Sequence, residues 1–281
     1  MNVNAHTTST HDATTQNASP GALESPQSAT KVSIGSAAKV IVAGYIASMA
    51  VLVTAGFVLT RTLKKSGIVR WDESVVQYFA DHRTPSLTHL SAFWSRSADA
   101  PSIIVIAVVV GIVLALRRNW REIAWIAVIV PTELLFFLTV SYAVGRKRPD
   151  VEHLGSVPST GSFPSGHVAV TIVLYGTIAL IISAHLRARS PKARGAVAII
   201  GSGWTLIAAS FVGWARIYRG MHHPLDVAAG TILGCAVLYV GFFAFQRSTK
   251  YAQFPSNTLR PRPISNAGAV EHQFSTQGEV T

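Results

Sequence analysis

One cysteine, Cys235, is all the chain has. No intramolecular disulfide can form, and its place inside an apolar run leads to the expectation of a small core hydrophobe. Charge is almost as scarce. Only 13% of the 281 residues are Asp, Glu, Lys or Arg, and Asp and Glu together number 13. That excludes an ordinary water-soluble domain. Nowhere do the carboxylates gather as a divalent cation would require, so no metal and no cofactor are expected. No stretch repeats another, as the halves of an inverted-repeat transporter would. Residues 1–36 hold almost no large apolar side chains and are rich in Ser, Thr, Ala, Asn and Gln. They are expected to be a disordered tail, not a cleaved signal peptide, since no basic start precedes an apolar stretch. His6 and His11 are too scattered there to suggest a metal site.

Long apolar runs fill the rest, and mean hydropathy is +0.36. Six segments stand out, at about 37–60, 100–116, 122–144, 168–183, 195–212 and 227–245. In lipid such segments must be helical, because each backbone polar group needs a partner within the segment. The expectation is an all-α, polytopic membrane protein with six transmembrane helices in one domain, 37–246. A disordered tail rich in proline and polar residues is expected over 247–281. Between the first two spans, residues 61–99 mix Trp71, Tyr78, Phe79 and Trp94 with charged residues. This pattern suits an amphipathic helix lying at the membrane interface.

The formal net charge of +11 does not point to nucleic acid, because the basic residues sit in short loops between apolar runs. Arg117, Arg118 and Arg121 occupy one such loop, and Arg187, Arg189, Lys192 and Arg194 another. Arg247 and Lys250 follow the last span. With six spans these regions share a side with the amino terminus, and the positive-inside rule makes that side cytoplasmic. Both termini are then cytoplasmic, and the third and fifth interspan loops face outward.

Those outward loops carry the chemistry. Gly161-Ser162-Phe163-Pro164-Ser165-Gly166-His167 leads into the fourth apolar run. A helix start presents free N–H groups and partial positive charge to an anion. Ser165 adds a hydroxyl, Gly166 allows close approach to the backbone, and His167 can exchange a proton near neutral pH. Upstream lies Arg146-Lys147-Arg148-Pro149. Downstream lies Ala215-Arg216-Ile217-Tyr218-Arg219-Gly220-Met221-His222-His223-Pro224-Leu225-Asp226. If the turn after His222 is helical, Asp226 shares its face and can take one imidazole N–H, leaving the other nitrogen free to attack phosphorus. His223, three residues from Asp226 and next to Pro224, is the rival nucleophile. Arg148 and Arg216 can grip phosphate oxygens. Glu133, mid-span beside Pro131, can be protonated, face the bundle interior and bond to the backbone freed by Pro131; it lies too deep to be expected at the site.

Together these residues resemble the type 2 phosphatidic acid phosphatase (PAP2) superfamily, whose motifs are K-x6-R-P, P-S-G-H and S-R-x5-H-x3-D. The first ends here in Arg148-Pro149, and the second is Pro164-Ser165-Gly166-His167. The third is Arg216, His222 and Asp226, a spacing that favours His222 over His223. The resemblance covers about residues 40–245. It implies a six-helix bundle and metal-independent hydrolysis of a lipid phosphate or isoprenyl pyrophosphate at the outer membrane face. His222 would carry a phosphohistidine oriented by Asp226, and His167 would protonate the leaving group. Arg148, Ser165, Gly166 and Arg216 would bind phosphate. Two positions depart from the pattern. Ser141 stands where the family has Lys, and Ala215 where it has Ser; Arg146 and Lys147 are the candidates to supply the missing cation. The implied partners are membrane lipids and the lipid phosphate itself. Two alternatives remain, a lipid phosphotransferase using the same phosphohistidine and a non-catalytic protein that binds lipid phosphate.

Overall fold

A computed structural model describes residues 34–186 and 190–252. The tail expected over 1–36 lies almost wholly outside these residues, as do Arg187 and Arg189 and the residues beyond 252. The described residues form helices and connecting loops, with no strand among them. Helix α1 (Ile34–Phe57) runs into a wider turn at Val58–Thr62, and α2 (Gly67–Asp81) and α3 (Pro85–Ser97) follow. Then come α4 (Ala100–Leu116), α5 (Trp120–Val144), α6 (Gly166–Leu186), α7 (Pro191–Tyr218) and α8 (Pro224–Ala252).

Five stretches are each long and apolar enough to cross a membrane: Val42–Thr62, Trp120–Val144, Gly166–Leu186, Lys192–Tyr218 and Pro224–Phe245. A sixth crossing is reached if α3 and α4, bent by 53° at their junction, count as one span. The 100–116 segment expected to span by itself is therefore the short member of the set. It is apolar all round, with Ile104, Val105, Val108 and Ile112 exposed, as a helix bathed in lipid should be.

Helix α6 is the central post. Val168, Ala169, Val173 and Leu174 are all essentially inaccessible, and α5, α7 and α8 pack around it. Helix α1 closes the far side against α5 and α8.

The 61–99 region is two capped helices. Ser66 accepts from Val69 N at 3.5 Å, and Thr84 accepts from Leu87 N at 3.3 Å with Pro85 in the first turn. Both are side-chain N-caps. On α2 the buried residues Val69, Asp72 and Val76 recur at helical spacing, while Trp71 and Tyr78 are exposed. Helix α3 buries Ser91 and Ser95 and lies against α7, where Trp94 stacks on Phe211 at 4.9 Å. These helices wall the end of the bundle that holds the motifs.

That end is opposite the basic turns. Asn119, in the α4–α5 turn, donates from Nδ2 to His185 Nε2 near the end of α6 at 2.8 Å. The motif residues lie instead where α5 and α7 end and α6 and α8 begin.

Candidate active site

Helix α5 stops because Gly145 takes a left-handed φ of 60° and its N–H bonds back to Ser141 O at 3.0 Å. Glycine adopts that φ without a Cβ penalty. The chain after it is not helical, so Arg146, Lys147 and Arg148 diverge instead of sharing a helix surface. Arg146 turns inward, only 8% exposed. Its Nη2 reaches Asp72 Oδ2 at 2.6 Å, and its Nη1 reaches Asp226 Oδ1 at 2.5 Å. Burial opposes its charge, but the two carboxylates outweigh that and raise its pKa. Asp72 also accepts from Leu225 N at 2.8 Å, tying α2 to the first turn of α8.

Arg148 sits on the other side of the loop. Its Nη1 donates to Met221 O at 2.7 Å and its Nη2 to Thr160 O at 3.3 Å. Burial lowers its pKa, opposed by the charge of Asp226. Arg216, at the end of α7, donates from Nη1 to Ser95 Oγ at 2.9 Å. The Nε atoms of both arginines and the hydroxyl oxygen of Ser165 are buried without a hydrogen-bond partner. Buried donors in folded proteins are nearly always satisfied, so the two arginine orphans, whose residues line one cavity, mark a place built for a polar ligand. Arg148, Gly166, His167, Arg216 and His222 all line one cavity of about 340 Å³. Gly166 has a packing reason too, since a Cβ there would stand 3.0 Å from the Phe137 ring.

The hydrogen bond expected from His222 to Asp226 is not made. Helix α8 begins at Pro224, so His222 lies before the helix and does not share a helical face with Asp226. Asp226 is the third residue of α8 and reaches back to the cap. It accepts from His223 N at 2.8 Å, while His223 Nδ1 lies 3.1 Å from the same oxygen, an arrangement like the acidic half of a capping box. His222 Nδ1 is 3.9 Å from Asp226 Oδ2, and instead lies 2.6 Å from Ser162 O. A carbonyl oxygen only accepts, so Nδ1 carries the proton and Nε2 of the neutral ring keeps its lone pair. The outcome foreseen for His222 is thus reached through a different acceptor. Burial, then the nearby Arg216 charge, holds His222 well below its ordinary pKa of 6.5.

His167 Nε2 donates to Asp99 Oδ1 at 2.8 Å. Asp99, the residue before α4, escaped the sequence reading, as did Ser95, Ser162 and Asp72. Asp99 left a trace, since an acidic residue just ahead of Ala100-Pro101 has the form of a helix start. Ser162 meets His222 only through its carbonyl, while its hydroxyl donates to Lys147 O at 2.9 Å, and it left no trace. Of the residues put forward as phosphate contacts, Ser165 is buried at the cap of α6, its N–H bonded to Asp226 O at 2.9 Å. Arg146 and Lys147 border a different cavity of about 800 Å³, together with Arg148 and His223. Ser141 is fully buried and donates to Gly161 O at 3.3 Å. Glu133 is 2% exposed and lines the His222 cavity, so it does reach the site. Its Oε1 has no partner, so that oxygen takes up no bond to the backbone freed by Pro131. Among the described residues no cluster of three or more His, Cys, Asp or Glu could hold a metal ion.

The architecture has a known counterpart. The crystal structure of a transmembrane PAP2 type phosphatidylglycerolphosphate phosphatase from Bacillus subtilis superposes with a TM-score of 0.61. It covers 74% of this chain and 98% of that one at 24% identity, a likeness of fold. In sequence, the chain is 24% identical to phosphatidylglycerophosphatase B of Bacillus subtilis over 184 residues, 65% of this chain and 87% of the relative. It is 29% identical to undecaprenyl-diphosphatase of Sulfolobus acidocaldarius over 161 residues, 48% and 70% of the two chains. The family model for the PAP2 superfamily matches residues 127–250, a stretch that takes in Arg148, the Pro164–His167 turn, Arg216, His222 and Asp226. With apolar helices, helical topology and these residues in agreement, the chain is an integral membrane protein whose residues 127–250 match the PAP2 superfamily.

Proposed function

We propose that the His222 cavity hydrolyses a lipid phosphate or an isoprenyl pyrophosphate, through a phosphohistidine on His222 and without a metal. The observation that carries this is the convergence, at one cavity, of a nucleophile with its lone pair set free by Ser162 O and two arginines, Arg148 and Arg216, each with an unsatisfied Nε. In the first half-reaction Nε2 of His222 bonds to phosphorus while the bond from phosphorus to the lipid oxygen breaks. His167 gives that oxygen its proton, and Asp99 fixes the ring that does so. In the second, water attacks the phosphohistidine, His167 takes a proton from the water, and inorganic phosphate leaves with Nε2 restored. Arg148, Arg216, the Ser165 hydroxyl and the N-terminus of α6 neutralise the charge on the equatorial oxygens in both steps. Asp226 acts through its neighbours: it holds Arg146 and His223 and adds negative charge 3.9 Å from His222.

The same reading places the site outside the cell, because the basic turns lie at the other end of the bundle from His222. Phosphate release by the detergent-purified protein, with EDTA present, tests the proposal. The panel is phosphatidate, lysophosphatidate, phosphatidylglycerol phosphate and a polyprenyl pyrophosphate. Release that disappears in His222→Ala supports it. Folded protein that releases no phosphate overturns it; phosphate then found on a second lipid identifies a transferase, and none found identifies a binding protein.

A further inference from the structure

The His222 cavity extends past the phosphate-binding residues. Below them its walls are Ile103, Ile104, Val130, Leu134, Phe137 and Val170, and a single acidic side chain, Glu133, interrupts this lining. Glu133 is 2% exposed, and its Oε1 is buried without a partner. Pure hydrocarbon against that group would leave its polar atoms unpaired, which is unfavourable. A polar group of the bound lipid would remove the cost.

The depth of Glu133 says which polar group. Phe137 packs over Gly166, the first residue of α6 and the neighbour of His167. Glu133 is four residues earlier on α5, one helical turn or about 5–6 Å further into the bilayer. In a glycerolipid phosphate the acyl carbonyls lie a few bonds beyond the phosphate ester oxygen, a comparable span. A polyprenyl pyrophosphate has only hydrocarbon at that distance from its phosphates.

We infer that Glu133 is a specificity residue that reads the ester linkage of a glycerolipid, donating from its carboxylic-acid form to an acyl carbonyl of the bound lipid. The inference rests on the lipid-phosphatase reading of the site and narrows its substrate to diacylglycerol phosphates over polyprenyl pyrophosphates. Glu133 takes no part in the chemical step. It rewards the lipid that satisfies it, as a site built around a buried polar group disfavours an analogue that leaves the group unpaired.

The test compares a diacyl phosphatidate, its dialkyl ether analogue of equal chain length, and a polyprenyl pyrophosphate. Phosphate release gives kcat/KM for each, and thermal stabilisation by non-hydrolysable diacyl and dialkyl phosphonates gives binding without turnover. The wild-type protein is expected to prefer the diacyl over the dialkyl compound roughly tenfold in both readouts. Glu133→Gln, which still donates, keeps the preference. Glu133→Leu loses it, with polyprenyl turnover unchanged or raised. Equal treatment of diacyl and dialkyl lipids by the wild type overturns the inference even if Glu133→Leu fails to fold, as does a preference that survives in Glu133→Leu. If no lipid is hydrolysed but the phosphonates still show the diacyl preference, the hydrolase reading fails and this one stands.

Discussion

His222 donates from Nδ1 to the carbonyl oxygen of Ser162 at 2.6 Å. A backbone atom thus sets the tautomer, and no side-chain substitution at position 162 removes it. The sensitive element is the imidazole itself. His222→Ala is expected to abolish turnover, whereas His223→Ala, which loses a contact to Asp226 and none to the cavity, should retain measurable phosphate release. Equal loss in the two variants, each shown to be folded, would remove the distinction between the histidines.

His167→Ala is expected to lose roughly 10²–10⁴-fold in rate on a lipid substrate. The loss should shrink on p-nitrophenyl phosphate, whose leaving oxygen departs without a proton. Asp99→Asn keeps a hydrogen-bonding partner for His167 and should fall between wild type and His167→Ala. A His167→Ala enzyme equally impaired on both substrates would point to a structural role.

The acid limb of the pH profile should lie low. His222 titrates well below its ordinary 6.5 because it is buried and faces Arg216, so the free lone pair persists at pH values where an exposed histidine is protonated. For kcat/KM on p-nitrophenyl phosphate, an acid limb at or above 6.5 would contradict this. Stability carries the same sign. Below pH 6.5 the unfolded chain binds a proton at His222 that the native protein refuses, so this residue's contribution falls from there down to its depressed native pKa and is constant above 6.5.

Arg146 is held between Asp72 and Asp226, all three buried. Removing one member strands charge in the interior, at about 3–5 kcal/mol. Arg146→Ala and Asp72→Ala should therefore both lower the denaturation midpoint in detergent. A double variant with apolar residues at 72 and 146 should not recover full activity, because Asp226 would lose its cation and Leu225 N its acceptor. Unchanged stability in Arg146→Ala would show that the triad is relieved by water.

The sequence carried what is local. Apolar runs long enough to span lipid outlined the helices, and Arg148, Gly166, His167, Arg216 and His222 could be picked out by spacing and do meet at one cavity. Contacts between distant segments were not legible. Asp99 meets His167 across 68 residues, Ser95 meets Arg216 across 121, and Asp72 meets Arg146 across 74. Nothing in the pattern around Ser95 or Asp72 separates a buried partner from one more polar residue on an amphipathic helix. The His222–Asp226 pair misled for a different reason. Spacing of four implies a shared face only inside a helix, and Pro224 starts the helix two residues too late. Glu133 was judged by its depth along α5, yet the cavity descends to meet it.

Ile104 and Leu134 line that cavity while remaining 61% and 51% exposed on α4 and α5. The cavity is thus open sideways, towards the acyl chains of the surrounding leaflet. A lipid substrate entering there would arrive by two-dimensional diffusion, and the quantity governing saturation would be its mole fraction in the bilayer. Adding inert lipid at constant substrate per volume should slow the enzyme; adding water should not.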